Sequence, residues 1–243
     1  MQVQELSLEN KMSKICFLIP YYNHPAKIVK LCEILKSYEI PIILVDDGSS
    51  DGFDLTSLDV TLLRHKTNLG KGAALKTGFK YALNQSFTHA FQIDADIQHD
   101  LKKIDEFLNL YKNDKSSVIC GYGRYDNTAP KARVYGRKIT NFWAYINTLG
   151  GNFKDLMIGM RIYPLDERVF KKTKSNRMEF DIEVLINYYK FGYKFSWIEV
   201  DINYESISHF KMLRDNLLIS KMHARCFFAL PKFIYKRVKD ALV

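Results

Sequence analysis

The stretch FQIDADIQHD, residues 91–100, passes from apolar positions into Asp94, Asp96, Gln98, His99 and Asp100. Two carboxylates separated by one residue repel each other unless something lies between them. A hard divalent cation is one answer, because oxygen donors suit Mg2+ and Mn2+. A solvated polar turn is the other. If the strand continues through this stretch, Asp94 and Asp96 share one side by its two-residue period, and Gln98 continues that side as the chain turns. Polar groups also gather in PYYNH (20–24), DDGSSDG (46–52), NLGKGAALKTG (68–78) and GYGRYD (121–126). Each alone reads equally well as an ordinary turn or helix start.

What positions them is an alternation of strands and helices. Apolar, β-branched runs at 14–22, 40–47, 60–66, 89–96 and 116–123 read as strands, and 26–38, 70–85 and 101–112 carry apolar residues at helical spacing. Such alternation predicts an α/β fold with a mostly parallel central sheet flanked by helices. Ligands of open α/β sheets bind beyond the carboxyl ends of the strands. The polar segments fall at four of those ends, and a Gly-rich segment opens the helix after the third strand. The second half predicts helices over 132–149 and 179–191 and strands over 157–164 and 194–204. A main domain over 1–210 is then followed by a basic, aromatic helical extension over 211–243.

The chain of 243 residues has 36 Lys and Arg against 27 Asp and Glu, a net charge of +9 that favours an anionic partner. Residues 211–239 hold eight of the cations and one acid, Asp215. Four scattered cysteines without metal-type spacing read as reduced thiols. With no apolar leader and no run long enough to span a bilayer, the expected location is cytoplasmic.

Taken in order, IPYYN, LVDDGSSD, NLGKGAALKTG and QIDADIQH resemble the family 2 glycosyltransferases of GT-A fold. The closest resemblance is to the dolichyl-phosphate or polyprenyl-phosphate sugar transferases, whose acidic motif reads D-A-D-x-Q-H. The resemblance covers roughly residues 14–204. It implies a UDP- or GDP-sugar donor whose base or ribose meets Asp46 and Asp47, with Pro20, Tyr22 and Asn23 shaping the base pocket. His24 stands where the family usually has Glu. Gly70 and Lys71 would face the phosphates at a helix start. Asp94, Asp96 and Gln98 become ligands of Mg2+ or Mn2+, with Asp94 also near the nucleotide.

The resemblance extends to Arg124 and Arg137 as acceptor-phosphate arginines, with Arg133 a competing choice. Asp155, Gly159 and Arg161 match a D-x-x-x-G-x-R segment. A hydroxyl acceptor would require a general base, for which Asp155, Glu179 and Asp181 are candidates; an ionised phosphate requires none. Glu179 and Glu183 share one helix face, with Asp181 turned away from both. The implied activity is inverting transfer to a lipid-linked or lipid-like acceptor, with no nucleic-acid partner.

The tail departs from the lipid-phosphate members, reading YESISHFK where an Arg precedes a G-x-S-K element. Its Phe227, Phe228, Leu230, Phe233, Ile234 and Tyr235, mixed with Lys232, Lys236, Arg237 and Lys239, suit either an anionic membrane surface or packing on the domain. Two other readings compete. A haloacid-dehalogenase-like phosphatase wants Thr at the position of Gln98, and a non-catalytic membrane-surface module leaves the ordered motifs unexplained. A nicotinamide enzyme is disfavoured, since no G-x-G-x-x-G follows the first strand.

Overall fold

The computed structural model describes residues 14–124, 131–202 and 211–241. A seven-stranded sheet in the order β3-β2-β1-β4-β6-β5-β7 forms its centre. The strands are β1 (Ile15–Tyr21), β2 (Ile42–Asp46), β3 (Thr61–Arg64), β4 (His89–Gln92), β5 (Val118–Gly123), β6 (Arg161–Pro164) and β7 (Phe195–Val200). β1 pairs in parallel with β2 and β4, β2 with β3, and β5 with β7. β6 lies between β4 and β5 and runs antiparallel to both. The carboxyl ends of β1, β2, β4 and β5 therefore share one edge.

Helices α1 (Pro25–Lys36), α2 (Lys71–Asn84), α3 (Ile104–Asn113), α4 (Lys131–Thr148), α5 (Glu167–Lys172), α6 (Phe180–Lys190), α7 (Met212–Phe228) and α8 (Leu230–Ala241) complete the chain. Every residue of β2 is buried, which is why that strand reads as an unbroken apolar run. One apolar cluster joins β1, β2, α2 and α6 on one face, and another joins α1 and α3 on the other. α1 opens with Pro25, whose missing N–H costs nothing in the first turn. The short α5, absent from the periodicity reading, is capped by Asp166, which accepts from Arg168 N.

Two boundaries differ from those the sequence suggests. β4 ends at Gln92, and β6 occupies only the last part of 157–164. Asp94 and Asp96 thus lie on a turn beyond the strand, with Ile97 at positive φ, so the two-residue period does not govern them. α7 packs on α4, and its Ile219, Met222 and Cys226 belong to the main apolar cluster. Among the described residues, no helix is long and apolar enough to cross a membrane.

Candidate active site

The strand ends and four helices, α2, α4, α6 and α7, surround a cavity of about 630 Å³, lined by Pro20, Tyr22, His24, Gly70, Lys71 and both acids of the D-A-D stretch, among others. Gln98, Asp181 and Arg137 complete its inner wall. Lys71, in the first turn of α2, sends its ammonium 2.8 Å from Asp94 and 2.7 Å from Asp181. Burial pulls that ammonium's pKa down, but the two carboxylates more than reverse it, and the group is held charged.

The two acids of the turn differ. Burial would raise Asp94, yet the Lys71 ammonium holds it below the usual carboxylate range. Asp96 is pushed up, first by burial and then by the charge of Asp94. A second positive charge beside them would relieve that repulsion. Together with Gln98, the donor set is all oxygen and fits a hard divalent ion. Asp96 also accepts from Gln98 N at 3.2 Å, and its carbonyl takes the Lys27 ammonium at 2.6 Å, so the turn is fixed at both ends. Burial pulls the adjacent His99 imidazole below its ordinary pKa.

Beneath the cavity lies a buried polar network that joins the motif residue Arg161 to Gln92 and Tyr163, for which the motifs gave no role. Gln92, the last residue of β4, donates to Asp94 at 3.3 Å and accepts from Tyr163 at 3.2 Å. Arg161, the register partner of Gln92 on β6, donates to the Tyr163 hydroxyl at 3.1 Å and to the Asp181 carbonyl at 2.7 Å. Its side chain is wholly buried. Asp94 and Asp181 are thus braced from below by one network and joined above by Lys71. Gly159 explains another motif position, because a Cβ there would lie 2.0 Å from an Asp94 carboxylate oxygen.

Asp46 and Asp47 are both buried and hydrogen-bonded within the protein, and Asp47 also lines the cavity. Asp46 accepts from Ser49 N and from Arg64, at 2.9 and 2.7 Å, and borders a neighbouring cavity of about 450 Å³. Asp47 accepts from Leu69 N, Gly70 N and the His65 ring at 2.7–2.9 Å. These bonds pin the loop before α2, where Gly70 takes a φ of +107° that other residues resist. His65 was missed in the sequence, although its place just past β3 puts it opposite Asp47. Asn23 also joins two loops: its N–H donates to Ser49 and its side chain accepts from Ser50 N.

The structure separates the three candidate bases. Asp181 lines the cavity. Asp155 is buried, bonded to Arg137 at 2.5 Å and to Met157 N at 2.8 Å, and serves to hold that arginine. Glu179 lies outside the cavity lining and accepts from Asn176 N and Arg177 N. Arg124 also lies outside it, with its side chain 71% exposed and 3.9 Å from Glu199. The side chain of Arg133 and residues 204–210 of the YESISHFK stretch fall outside the described residues.

A GT-A-like sheet whose strand ends carry acids and phosphate-type cations defines a nucleotide-sugar transferase architecture. The Glycosyl transferase family 2 model matches residues 16–170, and the chain belongs to that family of glycosyltransferases. An uncharacterized protein of Methanocaldococcus jannaschii is 29% identical over 54% of this chain and 59% of its own length. A dolichyl-phosphate beta-glucosyltransferase of Trichomonas vaginalis is 26% identical over 78% of this chain and 65% of its own. The chain spans less than two thirds of either relative. The fold is similar to that of glucosyl-3-phosphoglycerate synthase from Mycobacterium tuberculosis, crystallised with Mn2+ and UDP-glucose. The TM-score is 0.64 at 15% identity, covering 91% of this chain and 80% of that one.

Proposed function

We propose that this protein transfers one sugar, with inversion, from a nucleoside-diphosphate sugar to a lipid-linked acceptor, with the help of Mg2+ or Mn2+. The observation that carries this reading is the convergence of Asp94, Asp96, Gln98 and Lys71 in one cavity at the carboxyl edge of the sheet. UDP-glucose is the first donor to test, because a structural neighbour binds it, with GDP-sugars as the comparison. The dolichyl-phosphate relatives support a lipid acceptor.

Asp94, Asp96 and Gln98 would hold the ion, which when bound supplies positive charge against the departing diphosphate. Lys71 is placed to follow that charge from the side of α2, where exposed N–H groups also favour anions. Of the candidate bases, Asp181 is the one that lines the cavity, and it would accept the proton of a hydroxyl acceptor. Arg161 and the Lys71 ammonium fix its position. Exposed apolar residues on α7 and α8, including Phe228 at 80% and Tyr235 at 73%, would rest the molecule against an anionic membrane.

Isothermal titration with UDP-glucose and a GDP-sugar, with and without Mn2+, tests the donor half. The expected result is metal-dependent binding of one nucleotide class. Metal-independent binding, or none, would overturn the proposal.

A further inference from the structure

α4 is amphipathic in the opposite sense to an ordinary surface helix, which turns its apolar side inward. Its polar side faces the protein: Arg137 pairs with buried Asp155, Asn141 donates to the Phe153 and Lys154 carbonyls, and Asn147 donates to the His223 carbonyl. Thr140 and Thr148 are buried on that side as well. The outward side carries Tyr135, Ile139, Phe142, Ile146 and Leu149, flanked by Trp143 and Tyr145. Tyr135, Ile139 and Phe142 are 63%, 60% and 58% exposed. Among the described side chains of this face, Lys138 is the only charged one.

The spacing of the outward residues suits one kind of partner. From Tyr135 to Leu149 the steps run four, three, four and three residues, an apolar seam of period 3.5. Ile139 and Ile146 take its a positions, and Tyr135, Phe142 and Leu149 take d. Such a seam fits a second helix, whose side chains enter the holes between its own. Set antiparallel, two copies of α4 bring Tyr135 against Ile146 and Ile139 against Phe142, so that an aromatic ring meets an isoleucine in every layer. At roughly 150–250 Å² for a whole aromatic side chain, this half-exposed face amounts to about 600 Å². A pair would then cover about 1,200 Å², the lower edge of stable interfaces. An anionic bilayer fits this helix less well. Helices that lie on such membranes are rich in Lys and Arg on their polar face, whereas α4 has turned its polar side into the protein.

We infer that the outward face of α4 is a dimer interface, pairing antiparallel with α4 of a second copy of this chain through the seam from Tyr135 to Leu149. The inference goes beyond the transferase reading and does not depend on it. Gly136, Arg137 and Thr140 of the same helix line the cavity, so the second copy backs one wall of the site. Phe228 and Tyr235 lie on other helices and are no part of the seam.

Sedimentation velocity of the full chain at micromolar concentration, without lipid, tests the interface. Wild type should sediment as a dimer. Ile139→Glu with Phe142→Glu sets like charges across the seam and should give a monomer with the circular dichroism of wild type. Ile139→Ala with Phe142→Ala, which adds no charge, should weaken dimerisation at least tenfold. Phe228→Ser with Tyr235→Ser should remain dimeric. Under mild oxidation, a Tyr135→Cys protein mixed with an Ile146→Cys protein should cross-link, and neither should cross-link alone. A monomeric wild type, a dimer that survives both seam variants, or a dimer lost equally in the Phe228 and Tyr235 variant would each overturn the interface. A monomer that binds phosphatidylglycerol vesicles and loses that binding in the Glu variant would assign the face to a membrane instead. Cross-linking of Tyr135→Cys with itself would overturn the antiparallel register.

Discussion

At the residue scale the site depends on how charge is distributed around Asp94. Asp96→Ala should abolish metal-dependent turnover with little change in thermal stability, because it removes a repelling charge from the turn. Asp94→Ala should be comparably inactive, and Gln98→Ala milder, since water can replace a neutral ligand. Activity assays across Mn2+ concentrations check all three, and undiminished turnover in Asp96→Ala would refute the metal assignment. Gly159→Ala is a stricter probe, because the added methyl falls within 2.0–2.5 Å of the Asp94 carboxyl group. The carboxylate is the part that can move, so the protein should fold while Mn2+-dependent UDP binding drops at least tenfold. Unchanged affinity would show that Asp94 tolerates displacement.

At the scale of elements, the junction of α4 with α7 links the sheet to the C-terminal helices. Asn147 on α4 donates to the His223 carbonyl at 3.3 Å and lies 3.1 Å from its ring nitrogen. Trp143 and Phe227 meet edge to face beside them. Burial pulls His223 down from 6.5 to about 4. The unfolded chain therefore binds a proton in this range that the folded one refuses. The stabilisation is fully present above pH 6.5 and is lost progressively as pH falls toward 4, by on the order of a few kcal/mol. Melting temperature should consequently fall more steeply between pH 7 and 4.5 in wild type than in His223→Gln. Parallel pH profiles would show that this histidine does not carry the dependence.

At the scale of the whole molecule, the proposed lipid-linked acceptor requires a basic protein to meet a membrane surface. Each Lys or Arg near an anionic surface contributes about 1 kcal/mol, and buried aromatic rings add a hydrophobic term. Removing everything after residue 208 is a poor test, because α7 is part of the core and its loss would expose that core. Phe228→Ser with Tyr235→Ser alters two exposed side chains instead. Wild type should co-sediment with phosphatidylglycerol vesicles at low salt and dissociate as salt screens the charge. The double variant should bind several-fold less. Equal sedimentation of the two proteins, or none by wild type, would remove the membrane from the proposal.

The sequence by itself determined the βα alternation, the carboxyl edge as the place for a ligand and the family, because hydrophobic period and ordered motifs are local properties. IILVD reads as a strand buried on both faces, and it is one. The tertiary structure decided what the polar residues do there. Asp47 reads as a nucleotide ligand and lines the cavity, but only the fold shows that its oxygens also fasten the Gly70 loop and meet His65, which β3 brings beside it across the sheet. Asp155 reads as a base, yet a helix 18 residues earlier returns Arg137 to within 2.5 Å of it. Gln92 and Tyr163 carry no motif of their own, and with the motif residue Arg161 they become a brace only because β6 inserts antiparallel next to β4. The basic tail carries its charge in the sequence, but α7 is a wall of the cavity because its apolar side, Ile219, Met222 and Cys226, packs into the main cluster. Such roles depend on pairings between residues distant in the chain, and local pattern does not encode which distant partner arrives.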